Sequence, residues 1–178
     1  MIDASDRTLE ENILITRKSV ELAHSFGIAV EAELGHIGGK EGEGTSRFTV
    51  VEEAMFFAEK TGIDSLAVAV GTSHGIYKGK PEIDFQRIEE ISNEVPIPLV
   101  LHGASGLSDD ILKECIKCGI SKINFATELR CKYRQAVFEA INRNRELVDP
   151  RIYGKEAVQA VKAAAEHYIT VCGCNNRV

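Results

Sequence analysis

No run in the sequence approaches the ~20 consecutive apolar residues that span a bilayer, so a membrane-spanning helix is excluded. An excess of positive charge is also missing. The chain carries 21 Lys and Arg against 27 Asp and Glu, a formal charge of −6, which removes any general attraction for nucleic acid or an anionic membrane surface. The opening residues, "MIDASDRTLEEN", show neither a basic segment nor an apolar one and do not read as a signal peptide; a cytoplasmic protein is expected. No disulfide framework is present, because the five cysteines are odd in number and irregularly spaced. Cys115 and Cys118 form a C-x-x-C late in a predicted helix, whereas a redox pair belongs at a helix N-terminus. Cys172 and Cys174 complete a four-thiolate zinc site only with poor spacing. All five cysteines are therefore read as structural or incidental. No low-complexity segment or linker divides the 178 residues, so residues 1–178 are read as a single domain or part of one.

Short apolar runs alternate with amphipathic stretches. "MID" reads as a strand end and is followed by a helix from about Leu9 to Phe26, with Thr8 and Glu11 at capping-box spacing and Gly27 at the stop. A strand is expected over 28–34, then a glycine-rich loop. The next helix is expected to start near Thr49, with Glu52 as its box partner, and to end before Gly62. "SLAVAV" forms the third strand, residues 84–94 a helix and "IPLVLHG" the fourth strand. Ser108 caps a helix that ends before Gly119, and "SKINFAT" is the fifth strand. A long helix runs to about Asn144; after a "DPRIYG" turn, a last helix covers about 155–171. Strand-helix units at this spacing read as a parallel α/β architecture.

Residues capable of chemistry fall at matching points of these units. Asp3 ends the first strand and Glu33 the second; His74 follows the third, His102 the fourth, and Asn124 to Thr127 the fifth. Chemistry at every strand end favours a barrel over a doubly wound sheet, whose site gathers at one switch point. Two histidines and two carboxylates on one point suit a divalent metal, most often zinc; the alternative is that each imidazole hydrogen-bonds a loop carbonyl. His24 and His167 lie on predicted helices and read as surface or packing residues. In "HGASG" and "SHG" small residues let backbone N–H groups approach an anion, with the Ser105 hydroxyl as a further donor. Asn124, Thr127 and nearby amides of "NFATE" offer more. The loop 35–46 holds Gly35, Gly38, Gly39, Gly42 and Gly44 with Glu41 and Glu43. It reads either as a lid that brings Glu41 into the site or as a solvated acidic loop.

"VEAELGHIGGKEG", "VGTSHGIYKGKP", "LHGASGL" and "INFATELR" closely resemble segments of the zinc-dependent class II ketose-bisphosphate aldolases, in the same order and along the whole chain. "INFATEL", with Ala126, and the ending "VCGCNNRV" are more similar to the tagatose-bisphosphate branch than to a typical fructose-bisphosphate enzyme. The resemblance implies a (β/α)₈ TIM barrel that reversibly cleaves a ketose 1,6-bisphosphate to dihydroxyacetone phosphate and glyceraldehyde 3-phosphate. It implies zinc on His74 and His102, and a monovalent cation as a further cofactor. Gly75, Gly103, Ala104 and Ser105 are implied to hold the phosphorylated sugar, together with Asn124, Phe125, Ala126 and Thr127. Glu41 matches the mobile-loop acid that handles a proton. Asp3 and Glu33 match carboxylates of a second metal position, and a homo-oligomer is expected. Zinc polarises the ketone as a Lewis acid, so this chemistry needs no Schiff-base lysine.

The family pattern also has a third zinc histidine beside a catalytic aspartate, and no Asp-His dipeptide occurs here. Five strand-helix units are recognisable where a barrel has eight, and the first three are expected to precede "MIDAS". Two readings follow. The chain is the C-terminal portion of an aldolase, inactive by itself; or it is an aldolase-derived fragment that binds phosphate or associates without catalysis. A partner chain that supplies the missing strands is a third.

Overall fold

Each apolar run that reads as a buried strand pairs in parallel with the next. In the computed structural model, which describes residues 1–38, 47–77 and 79–175, the chain divides into two compact units, 1–124 and 125–178. The first contains α1 (Leu9–Ser25), β1 (Glu31–Leu34), α2 (Val51–Thr61), β2 (Ser65–Val68), α3 (Phe85–Glu94), β3 (Leu99–Leu101), α4 (Asp109–Lys117) and β4 (Ile120–Ile123). The strands form one sheet in the order β1-β2-β3-β4, all parallel. Ile2 adds a single parallel rung opposite Ala32.

The register sorts side chains between two faces, because successive residues of a strand point to opposite sides. Leu34, Leu66, Val68, Leu99 and Leu101 are fully buried, as are Phe57 of α2, Ile88 and Ile91 of α3, and Leu112 of α4. Each such side chain contributes roughly 1.5–3 kcal/mol on leaving water. Glu33, Ala67, Val100 and Lys122 share a register level across the four strands, and this second face is the polar one. Glu31 of β1 nevertheless reaches Lys122 of β4, at an Oε2–Nζ distance of 2.6 Å. Three interstrand steps span about 14 Å in a flat sheet, so the sheet is curled with its polar face concave. Curvature of this sense belongs to a barrel wall.

Several local expectations hold. Thr8 and Glu11 form the expected capping box, Ser108 caps α4, and α2 stops at Gly62; the helix expected over 84–94 runs from Phe85, behind Asp84 as its cap. Others are corrected. The strand expected over 28–34 pairs only from Glu31, because the Val30 N–H goes to the Asp64 carboxylate (2.6 Å) and its carbonyl to the Asp64 N–H (2.9 Å). Thr49 does not cap α2, which starts behind Val50 with no side-chain cap. Its hydroxyl instead donates to the Leu34 carbonyl (2.5 Å) and accepts the Ala69 N–H (2.8 Å), tying the ends of β1 and β2 together. The fifth expected strand ends at Ile123 rather than Thr127, which opens the next helix.

The second unit is a helical pair, α5 (Thr127–Arg143) and α6 (Pro150–Val171). "DPRIYG" is the start of α6 and not a turn before it. The Asp149 carboxylate accepts the Arg151 N–H, and Pro150 occupies the first turn, where a missing N–H is harmless. Phe125 stacks on Tyr168 at 3.8 Å between centroids, and the Tyr168 hydroxyl donates to Glu128. No helix among the described residues is long and apolar enough to cross a membrane.

Candidate functional site

The concave face carries its reactive groups along β1 and at or just beyond the carboxyl ends of β2 and β3. β1 places Glu31 and Glu33 two residues apart, hence on one side. Val100 shares that side, and so does His102, two residues further on at the end of β3. Asn12 of α1, itself held by the Thr16 hydroxyl (3.0 Å), donates its amide N–H to the Glu33 carbonyl (3.0 Å). His74 stands in the loop after β2, where its N–H donates to the Gly38 carbonyl (2.8 Å) and the Ser73 hydroxyl points to the same oxygen (3.2 Å).

Glu33, His74 and His102 each offer a ligand atom, and these atoms lie within 4.8 Å of one another. The two imidazole centroids are 6.2 Å apart. Nδ1 of His102 is 2.8 Å from Glu33 Oε2, and its Nε2 is 2.9 Å from Glu31 Oε1. All three of these side chains are at least nine-tenths buried. Burial works against the charged form of His102, but its hydrogen bonds and the charges of Glu33 and Glu31 outweigh that and raise its pKa above the ordinary histidine value. Burial likewise opposes ionisation of Glu31, yet Lys122 and His102 together bring its carboxyl below the usual range. Two buried carboxylates thus converge on one imidazole, with the Lys122 ammonium on one of them. Such a pocket favours a cation, either an imidazolium proton or a metal. The donor set of two imidazoles and one carboxylate, with nitrogen and oxygen ligands, fits zinc.

Asp3 reaches this cluster through Ser5. Its Oδ1 accepts the Ser5 hydroxyl at 2.7 Å, and the same hydroxyl lies 3.3 Å from Glu33 Oε1. Gly103, Ala104 and Ser105 follow His102 directly, with Ala104 and Ser105 buried. Gly75 follows His74 in the adjacent loop. The Asn124 N–H donates to the Leu101 carbonyl (3.0 Å), which places it at the end of β4. Phe125, Ala126 and Thr127 open the second unit, where the Phe125 ring is engaged with Tyr168 and Ala126 precedes α5. Glu41 lies outside the described residues. His36 makes a two-bond backbone bridge with Arg47 (2.7 and 3.0 Å), and His24 pairs with Asp64, in keeping with its expected surface role.

Sequence reasoning missed Glu31, Ser5, Asn12, Thr16 and Lys122. The alternation "EAE" marked Glu31 as a neighbour of Glu33 on one strand face. Asn12, Thr16 and Val20, spaced by four on the buried side of α1, carried a weaker signal. A cleft of about 310 Å³ opens beside the β2 loop, lined by Phe48, Thr72, Ser73, Tyr77, Lys80 and Glu82 among others.

The family model for class II fructose-bisphosphate aldolase matches residues 1–177. Among solved structures, the YdjI aldolase of Escherichia coli K12 is 39% identical, with a TM-score of 0.82 over 98% of this chain and 61% of its own. A candidate fructose-1,6-bisphosphate aldolase from Coccidioides immitis is 30% identical, with a TM-score of 0.89 over 99% of this chain and 63% of its own. Fructose-bisphosphate aldolase of Campylobacter jejuni, at 23% identity and a TM-score of 0.82, shares the fold over 99% of this chain and 60% of its own. The chain spans about three fifths of the length of these relatives.

Proposed function

The chain belongs to the class II fructose-bisphosphate aldolase family, and from that premise we propose that it forms the C-terminal part of a zinc-dependent (β/α)₈ barrel. The complete barrel reversibly cleaves a ketose 1,6-bisphosphate, of the tagatose or fructose type, to dihydroxyacetone phosphate and glyceraldehyde 3-phosphate. The observation that carries this reading is the convergence of Glu33, His74 and His102 beside the "HGASG" turn.

His74 and His102 would hold the zinc, with Glu33 as the third donor among the described residues. A zinc ion there supplies Lewis acidity toward a ketone oxygen. Glu31 keeps its carboxylate on Nε2 of His102, which would hold the proton on that nitrogen and turn Nδ1, 2.8 Å from Glu33 Oε2, to the ligand role. Backbone amides of Gly75 and of Gly103 to Ser105 receive a phosphate, helped by the Ser105 hydroxyl. Asn124 to Thr127 bind the rest of the three-carbon phosphate. Glu41 moves a proton at the carbon next to the carbonyl. The Asp-His pair of the family pattern is absent from these 178 residues, so turnover is assigned to the whole barrel and not to this chain acting alone.

Zinc titration against a chromophoric chelator tests the reading. One zinc per chain is expected, with His102→Ala abolishing the site; undiminished binding by that variant would overturn it. Activity on both ketose bisphosphates, measured once the three missing strand-helix units are joined to the N-terminus, then tests the reaction.

A further inference from the structure

Tyr77 lies three residues beyond His74 and is half-buried. Its hydroxyl accepts the Ser73 N–H at 3.0 Å and donates to the Gly103 carbonyl at 2.8 Å. Ser73 immediately precedes His74, and Gly103 immediately follows His102. One phenol therefore holds the main chain beside both histidines.

The surrounding backbone leaves little slack. Gly103 has φ +68°, and a Cβ built on it would stand 2.7 Å from the Ser73 carbonyl oxygen and 2.9 Å from the carbonyl carbon. The β2 and β3 loops are thus in main-chain contact, a closeness that only glycine permits there. At Gly106, φ +94°, a Cβ would lie 3.4 Å from the Tyr77 ring, so the ring also covers the far end of the "HGASG" turn. Burial pushes the phenol pKa up, which keeps the donor proton in place at neutral pH.

We infer that Tyr77 is a positioning residue for the metal centre: its hydroxyl joins the two loops that carry His74 and His102 and so sets the spacing of the two imidazoles. The inference rests on the metal reading above. Metal–nitrogen distances tolerate only about ±0.2 Å, and the Tyr77 hydroxyl links the Ser73 N–H directly to the Gly103 carbonyl. Tyr77→Phe removes the hydroxyl alone and retains the ring against Gly106.

The test uses the full 178-residue chain and Co²⁺, whose visible spectrum reports ligand geometry. Affinity is measured by chelator competition for the unaltered chain and for Tyr77→Phe, alongside the thermal midpoint of each metal-free form. The expected result is about a tenfold loss of Co²⁺ affinity with a shifted visible spectrum in the variant. Equal affinity and spectrum overturn the inference, even if the metal-free midpoint falls, since that pattern belongs to a merely structural tyrosine. No Co²⁺ binding by the unaltered chain overturns the metal reading itself, and the inference with it.

Discussion

Glu31 and Lys122, from the first and last strands of the sheet, are joined by an ion pair of 2.6 Å across its concave face. The Glu31 side chain is 8% exposed and that of Lys122 54%, so solvent screens only one end. Lys122→Met leaves a buried carboxylate with His102 as its remaining partner. A loss of about 1 kcal/mol is expected, below the figure for a wholly buried pair, read from urea unfolding. Lys117→Met, at the exposed Lys117–Glu114 pair, serves as the control and should not change the midpoint measurably. Equal midpoints for both variants would show that the cross-sheet pair contributes nothing.

Glu31→Gln probes the same carboxylate from the other side. The amide retains the shape but loses the charge that orients His102, and zinc affinity should fall about tenfold. Chelator competition reads this directly. Affinity unchanged within twofold would mean that Glu31 has no part in presenting the imidazole.

Thr49→Val tests a buried hydroxyl with two backbone partners. The substitution preserves shape but leaves the Ala69 N–H and one lone pair of the Leu34 carbonyl without it, at an expected cost of about 2 kcal/mol. Thr49→Ser keeps the oxygen and should recover most of that. If Ser and Val behave alike in chemical denaturation, the hydroxyl is not what joins the strand ends.

A pH dependence follows from Asp64. The His24 hydrogen bond, then that from the Val30 N–H, holds its carboxyl below the ordinary aspartate value. Stability from a depressed carboxyl is fully present above the unfolded pKa of about 3.9 and is lost as pH falls through the lower folded value. Thermal midpoints measured below about pH 4 should therefore drop more steeply for the native chain than for Asp64→Asn. Parallel acid limbs would remove Asp64 from the account.

Thiol reactivity separates the cysteines. All five are free, and burial pushes the Cys115 thiol up to about 12, so it carries almost no thiolate near neutrality. Cys131 and Cys174 are exposed. A thiol reagent at pH 8 should label those two first and reach Cys115 only on unfolding; early labelling of Cys115 would contradict its burial.

What the sequence revealed and what it concealed divide along a physical line. His102 was legible because an apolar run, a histidine and a glycine are consecutive there, and His74 because its His-Gly follows a similar run after three short residues; local order is enough to place both just beyond a strand. The paired position of Glu31 and Lys122, 91 residues apart in sequence, depends on the curl of the sheet, which no local pattern encodes. Thr49 shows the opposite failure. Its spacing to Glu52 satisfied a local capping rule, but two strand-end groups three-dimensionally nearer claimed the hydroxyl. At the start of α6, "DPRIYG" held turn residues that serve equally as a cap and a first helical turn, and Asp149 with Pro150 resolved them toward helix. The order of strands and helices came through because burial periodicity is dense along the whole first unit.

The bond from Asn12 to Glu33 ends on a main-chain carbonyl, and that has a consequence for any variant at position 33. No replacement of the side chain can release it, so β1 remains anchored to α1 whatever residue stands there. Asp, Gln or Ala at 33 would each meet the histidines from a strand held in the same place. Position 33 is thus a site where chemistry can be exchanged while the frame stays fixed, and the frame itself is adjusted from the helix behind it.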